Sequence, residues 1–128
     1  MSDPIAQALT AVLNSQAVRK PTARVVYSKI NYAVCKILEQ YGFVDGVERA
    51  GKKDKKYLEV TLKYGADRLG VIHTVRRVSK PGKRVYAGYR ELHWPQGVLI
   101  VVSTPDGIMA AHEAKKKKLG GELICSVS

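Results

Sequence analysis

The sequence is poor in the residues from which chemistry is usually built. Its two cysteines, Cys35 and Cys125, stand far apart inside apolar patterns and lack the spacing of a metal site, so they read as buried thiols. His73, His93 and His112 have no metal-ligand spacing either, and no cysteine accompanies them, so they read as surface or strand histidines. No metal or cofactor is expected. Glycine-rich phosphate loops, zinc-deaminase signatures and nucleophile elbows are all missing. Without such company, Glu91 and His93 in Arg90-Glu91-Leu92-His93-Trp94 do not make a catalytic pair, and the chain reads as no enzyme. Trp94, before Pro95, reads as a packing or protein-contact residue. Apolar runs stay short of the ~18 residues that suggest a membrane span, and no signal-peptide pattern opens the chain. The expectation is a cytoplasmic protein with no membrane partner.

Negative charge is scarce as well. There are 22 Lys and Arg against 11 Asp and Glu, a formal charge of +11. The excess is spread through both halves, +5 over residues 1–64 and +6 over residues 65–128, so it belongs to a folded body rather than a tail. Such a field attracts polyanions, nucleic acid foremost. An anionic membrane fits less well, because no helical stretch pairs a basic face with bulky aromatics. With 45% hydrophobic residues the chain has the composition of an ordinary globular protein, and 128 residues suit one domain or two small lobes.

Periodicity predicts an α+β fold. A helix over Met1–Ser15 has Asp3 as cap, Pro4 in its first turn and Ile5, Leu9, Val12 and Leu13 on one face. A strand over Ala23–Tyr27 follows. Ser28 then caps a helix whose core stripe is Ile30, Ala33, Val34, Ile37, Leu38 and Tyr41, stopped by Gly42. Strands at Phe43–Arg49 and Lys56–Lys63 flank a basic hairpin loop, and a lobe boundary falls in Tyr64–Gly70. The N-terminal lobe (1–64) is thus helix-strand-helix-strand-strand. The C-terminal lobe (65–128) is mostly antiparallel sheet with one short helix. Its strands are expected at Val71–Val78, with a hairpin return at Lys83–Ala87, then at Val98–Val102 and Glu122–Val127; the helix is expected over Met109–Lys118.

Several stretches then match one family in register. Asp3-Pro4-Ile5-Ala6 with Leu9-Thr10 and Asn14, Val78-Ser79-Lys80-Pro81-Gly82-Lys83-Arg84-Val85-Tyr86, Val101-Val102-Ser103-Thr104, Gly107-Ile108-Met109 and Leu119-Gly120-Gly121-Glu122-Leu123-Ile124-Cys125 together resemble the bacterial form of small ribosomal subunit protein number eight. The resemblance runs the length of the chain. It implies a two-lobed α+β fold and direct binding to a helical element in the central domain of small-subunit ribosomal RNA, with assembly of the platform region. Neighbouring small-subunit proteins are implied partners, and so, as in some bacteria, is the messenger RNA of its own operon. It also implies RNA contacts mainly from the C-terminal lobe, with a smaller N-terminal set assigned to Asp3, Pro4 and Lys29. The chain departs from the pattern at Ala11 and Leu13, where arginines are usual, at Pro105-Asp106, where Ser-Lys is usual, and at Ala110-Ala111, which lacks the usual Thr-Asp helix cap.

Residue chemistry supports that placement. Ser103 and Thr104 end a buried strand with small hydroxyls able to meet a base or a ribose hydroxyl, or else to cap their own turn before Gly107. Lys80, Lys83 and Arg84 around a Pro-Gly turn suit phosphates, with Tyr86 offering a stacking surface; the structural alternative is a solvated, lysine-guarded edge. Gly120 and Gly121 suit a close backbone approach, or simply a helix stop, and Glu122 can accept from a base amino group. Lys52, Lys53, Lys55 and Lys56, and Lys115–Lys118, read as solvated runs adding diffuse attraction. Two other readings stay open: an RNA-processing enzyme using Glu91 and His93, and a nucleic-acid chaperone acting by charge alone.

Overall fold

The computed structural model describes residues 4–128. Its chain divides into two compact units, one running to Ile72 and the other spanning His73–Ser128. Met1, Ser2 and Asp3 lie outside the described residues, and with them the expected cap and RNA contact at Asp3.

In the first unit, helix α1 spans Pro4–Ala17, strand β1 Thr22–Val26, helix α2 Lys29–Gln40, strand β2 Val44–Ala50 and strand β3 Tyr57–Leu62. The strands form an antiparallel sheet in the order β1-β3-β2. Register sets Ala23 opposite Val60 and Val25 opposite Leu58, with Val47 on the far side of Val60. All five are buried, so one face of the sheet supplies the core that the apolar sides of the helices complete. α2 begins where Ser28 Oγ accepts from the Asn31 amide at 3.0 Å. It ends in a Schellman motif: Gly42 takes φ +81°, and the amides of Phe43 and Gly42 donate to Leu38 and Glu39. The core stripe differs from the expected one. Ile30 is 47% and Tyr41 37% exposed, whereas Asn31 is buried with Val34, Cys35 and Leu38. Asn31 is admitted because its Nδ2 donates to the Val26 carbonyl, five residues back, at 3.0 Å, a bond invisible to hydrophobic periodicity. Segment 65–72 stays with this unit: the Gln16 side-chain amide both donates to and accepts from the Ile72 backbone.

In the second unit, β4 is Val75–Arg77, β5 Tyr86–Ala87, β6 Leu99–Thr104, β7 Gly107–Ala110 and β8 Gly121–Val127. A single 3-10 turn occupies Tyr89–Glu91, and the short helix α3 occupies Ala111–Lys116. β8 is central, with β6 and then β7 on one side and both β4 and β5 on the other. Below the sheet, Val102 and Met109 pack with Leu92 of the 3-10 region and Ala111 and Ala114 of α3.

Two expectations are corrected here. The segment 71–87 is not a strand and its hairpin return. β4 pairs with the C-terminal half of β8 and β5 with its N-terminal end, both antiparallel, and Val78 and Ser79 donate to Ile124 and Leu123 between them. The chain therefore follows one edge of β8 and makes an excursion at Lys80–Arg84, whose tip closes on itself through reciprocal Lys80–Lys83 backbone bonds. The reason is supply: β8 offers a continuous row of edge partners, while Pro81 has no amide to extend a hairpin ladder. Second, Gly107–Ala110 is a strand before it is a helix. The Pro105-Asp106 turn brings Gly107 opposite Thr104 and Met109 opposite Val102, and α3 starts only at Ala111, without a side-chain cap.

Candidate nucleic-acid interface

Cross-strand register assembles a row that the sequence scatters. Ser103 of β6 lies opposite Glu122 of β8, Glu122 opposite Tyr86 of β5, and Ser103 also opposite Ile108 of β7. Directly paired residues share a face, so Ile108, Ser103, Glu122 and Tyr86 form one line across four strands. At its outer end Tyr86 is 68% exposed, its ring open for stacking.

Glu122 is held firmly. Ser79, wholly buried, donates its hydroxyl to Glu122 Oε2 at 2.5 Å and accepts the Val85 amide at 3.1 Å, which closes the base of the Lys80–Arg84 excursion. Arg84 Nη1 donates to the same Oε2 at 3.0 Å. The Ser79 hydroxyl, and with it the positive charges of Arg84 and Arg77, hold the Glu122 carboxyl below its ordinary range against the opposing effect of desolvation. Glu122 is thus an anion whose side chain, 23% exposed, can accept from a ligand. Sequence reasoning missed Ser79; its place in the Val78–Tyr86 stretch was the available signal.

The two hydroxyls at the end of β6 have separate duties. Thr104 is 8% exposed; its Oγ1 donates to the Gly107 carbonyl at 2.7 Å and accepts the Asp106 amide at 3.2 Å, so it binds its own turn. Ser103 is half-buried in the row, and among the described residues its hydroxyl has no hydrogen-bond partner. Gly107, at φ +120°, is exposed with open space beside it. Gly120 and Gly121 are required by packing. A Cβ on Gly121 would stand 1.9 Å from the Ser103 carbonyl oxygen, and one on Gly120 2.5 Å from that of Ala87. Without them β8 could not reach both neighbours at the row.

Lys80 and Lys83 stand exposed on the excursion, and together with Arg76 and Arg77 they line an open cleft beside β4. No carboxylate lines it. Pro4 opens α1 and Lys29 opens α2, both exposed and both in the first unit, apart from the row in the chain's division. The lysine run of α3 is partly engaged: Lys115 donates to the Leu92 carbonyl at 2.7 Å and Lys117 pairs with Glu113 at 3.3 Å. His93 Nδ1 meets the Glu91 backbone carbonyl at 2.9 Å rather than its carboxylate. Among the described residues no group of His, Cys, Asp and Glu could hold a metal ion, and no helix is long and apolar enough to cross a membrane.

A basic two-unit α+β protein with a polar row, an exposed tyrosine and a cationic rim on one sheet has the make-up of an RNA-binding module. Comparison with known proteins gives the particular family. Residues 3–128 match the family described as Ribosomal protein S8. The chain is 41% identical over 136 residues to the small ribosomal subunit protein uS8 of Thermus thermophilus, covering 99% of both chains. It is 42% identical over 132 residues to that of Acidovorax sp. (strain JS42), covering 100% of this chain and 98% of the other, and 39% identical over 129 residues to that of Rippkaea orientalis, covering 98% and 97%. The chain belongs to the ribosomal protein S8 family, whose members are structural components of the small ribosomal subunit.

Proposed function

We propose that this chain binds a helical element of the central domain of small-subunit ribosomal RNA, helps assemble the platform region, and catalyses nothing. The Ser103–Glu122–Tyr86 row carries the reading. It combines a free hydroxyl, a carboxylate oxygen and an aromatic ring at fixed spacing, the groups that recognise ribose hydroxyls, base amino groups and exposed bases. Lys80, Lys83 and Arg84 supply phosphate contacts at its edge. Arg84 also orients Glu122, Thr104 and Gly107 shape the turn that presents Ser103, and Gly120 and Gly121 let the strands close. Pro4 and Lys29 belong to a smaller RNA contact on the first unit. The protein works on the ribosome in the cytoplasm beside neighbouring small-subunit proteins, and a similar helix in its own operon messenger RNA would engage the same row.

Footprinting the free protein on small-subunit ribosomal RNA tests this. Protection confined to one central-domain helix, at one protein per RNA, is the expected result. Protection scattered according to charge density would make it a general chaperone instead. Cleaved or modified RNA accumulating over many turnovers would make it an enzyme.

A further inference from the structure

The first unit carries a second assembly of rings and cations that the row does not use. Tyr27 stands just before the Ser28 cap of α2, and Arg49 lies near the end of β2 on the helix-covered face, where the sheet runs out. The Arg49 guanidinium is 4.5 Å from the Tyr32 ring centre and 5.8 Å from that of Tyr27, while Lys56 Nζ is 5.9 Å from Tyr27. Lys36 adds a fourth contact, 5.8 Å from Tyr32. One close cation–π pair, Arg49 on Tyr32, and three contacts at the ~6 Å limit thus gather on two neighbouring rings.

Between them lies a notch of about 130 Å³, walled by Tyr27, Arg49 and Lys56 and floored by Ala50 and Gly51. Gly51 is indispensable to it. The residue sits at φ +91°, and a Cβ there would meet the Lys55 carbonyl oxygen at 2.1 Å. No carboxylate lines the notch, and among the described residues neither Arg49 nor Lys56 forms an ion pair. Lys56, at 5.9 Å from Tyr27, sits at the outer limit of a ring contact, and Arg49, held against the Tyr32 ring at 4.5 Å, keeps its in-plane N–H donors for an anion.

We propose that this notch captures one unpaired nucleotide of a single-stranded RNA segment, its base stacked on Tyr27 and its phosphate held by Arg49 and Lys56. The chemistry selects that occupant. A phosphate alone needs no ring, an acidic peptide offers no planar face, and a duplex is too broad for the notch and hides its bases. The proposal rests on the RNA-binding reading for the class of ligand. It extends that reading to a second surface, one that holds a loop or strand end where the row holds a helix.

The test is nitrogen-15 NMR of the full chain titrated with a single-stranded oligoadenylate five nucleotides long. The same strand annealed to its complement, inorganic phosphate and pentaglutamate serve as comparisons. The single strand should shift the amides of Tyr27, Arg49, Gly51 and Lys56 more strongly than any of these. Tyr27→Leu should weaken it about tenfold, the loss of one stacking contact, while Tyr27→Phe stays within about threefold. Lys56→Ala, at an exposed side chain that leaves the fold alone, should weaken it severalfold and shallow its salt dependence. Ser103→Ala should leave all of this unchanged, which separates failure of the notch from failure of the row. The proposal is overturned if those amides do not move, or if duplex, phosphate or pentaglutamate moves them as strongly. It is equally overturned if a folded Tyr27→Leu, or Lys56→Ala, binds like the parent.

Discussion

Replacing Ser103 and Thr104 one at a time should separate recognition from architecture. Thr104→Val keeps the shape and the γ-methyl but removes a hydroxyl that makes two bonds to its own turn, at 2.7 and 3.2 Å. The partners left behind, on Asp106 and Gly107, are exposed residues that water can reach, so the loss sits near the low end for two hydrogen bonds, about 1–2 kcal/mol. For a chain of this size that is a fall in Tm of roughly 4–8 °C. Ser103→Ala breaks no bond within the protein and should change stability by less than about 0.5 kcal/mol. On RNA the order reverses. Losing the Ser103 hydroxyl should cost about 1–2 kcal/mol, some 5- to 30-fold in affinity for the cognate helix. Affinity for an arbitrary duplex should hold, because the charge of +11 is untouched. Thermal melts, with fluorescence anisotropy on both RNAs at one salt concentration, measure the two effects side by side. If Ser103→Ala melts early, or weakens both RNAs equally, the hydroxyl is structural and the two residues do not divide recognition from architecture.

Lys83→Ala should shallow the dependence of log K on log salt by about one unit without altering preference among RNAs, since an exposed cation contacts phosphate rather than base; an unchanged slope would place Lys83 off the RNA. Gly121→Ala should force β8 away from β6, because the new Cβ would meet the Ser103 carbonyl at 1.9 Å; faster amide exchange along the Ser103–Glu122 pair, with a loss of stability above the ~1 kcal/mol typical of a point substitution, is the expected outcome. Glu122 has a folded pKa below its ordinary value of 4.5, so its contribution to stability is present above that pH and disappears as pH falls through the depressed value. Urea midpoints of the parent and Glu122→Gln should therefore differ at pH 7 and converge as the pH is lowered below 4.5; a gap that persists in acid would mean the carboxylate's bonds to Ser79 and Arg84 are not its source.

Local signals carried well wherever a motif closes within a few residues. The Ser28 cap and the Gly42-Phe43 stop were legible because each satisfies helix-end groups of its own chain segment. The buried face of the first sheet followed from the alternation in Tyr57–Leu62, and the α+β class from the order of such segments. The family, too, could be read from in-register stretches, and Ser103, Glu122 and Tyr86 could be nominated from them. What no window of sequence contained was their alignment. Ser103 and Glu122 face each other because Gly121 lets β8 close on β6, and Tyr86 joins the line because β5 pairs with β8 rather than with β4.

Composition and spacing by themselves determined the charge that draws polyanions and the lack of any catalytic or metal motif, and the family resemblance nominated the residues expected to meet RNA. Tertiary structure alone decided which of those residues stand together on one sheet face. It buried Ser79 beneath Glu122, set Ser103 opposite Glu122 and Glu122 opposite Tyr86, and wedged Arg49 between Tyr27 and Tyr32. The reason is range. A cap or turn is set by neighbours along the chain, whereas a hydrogen-bond partner for a buried hydroxyl or amide comes from whichever distant strand packing brings within about 3 Å.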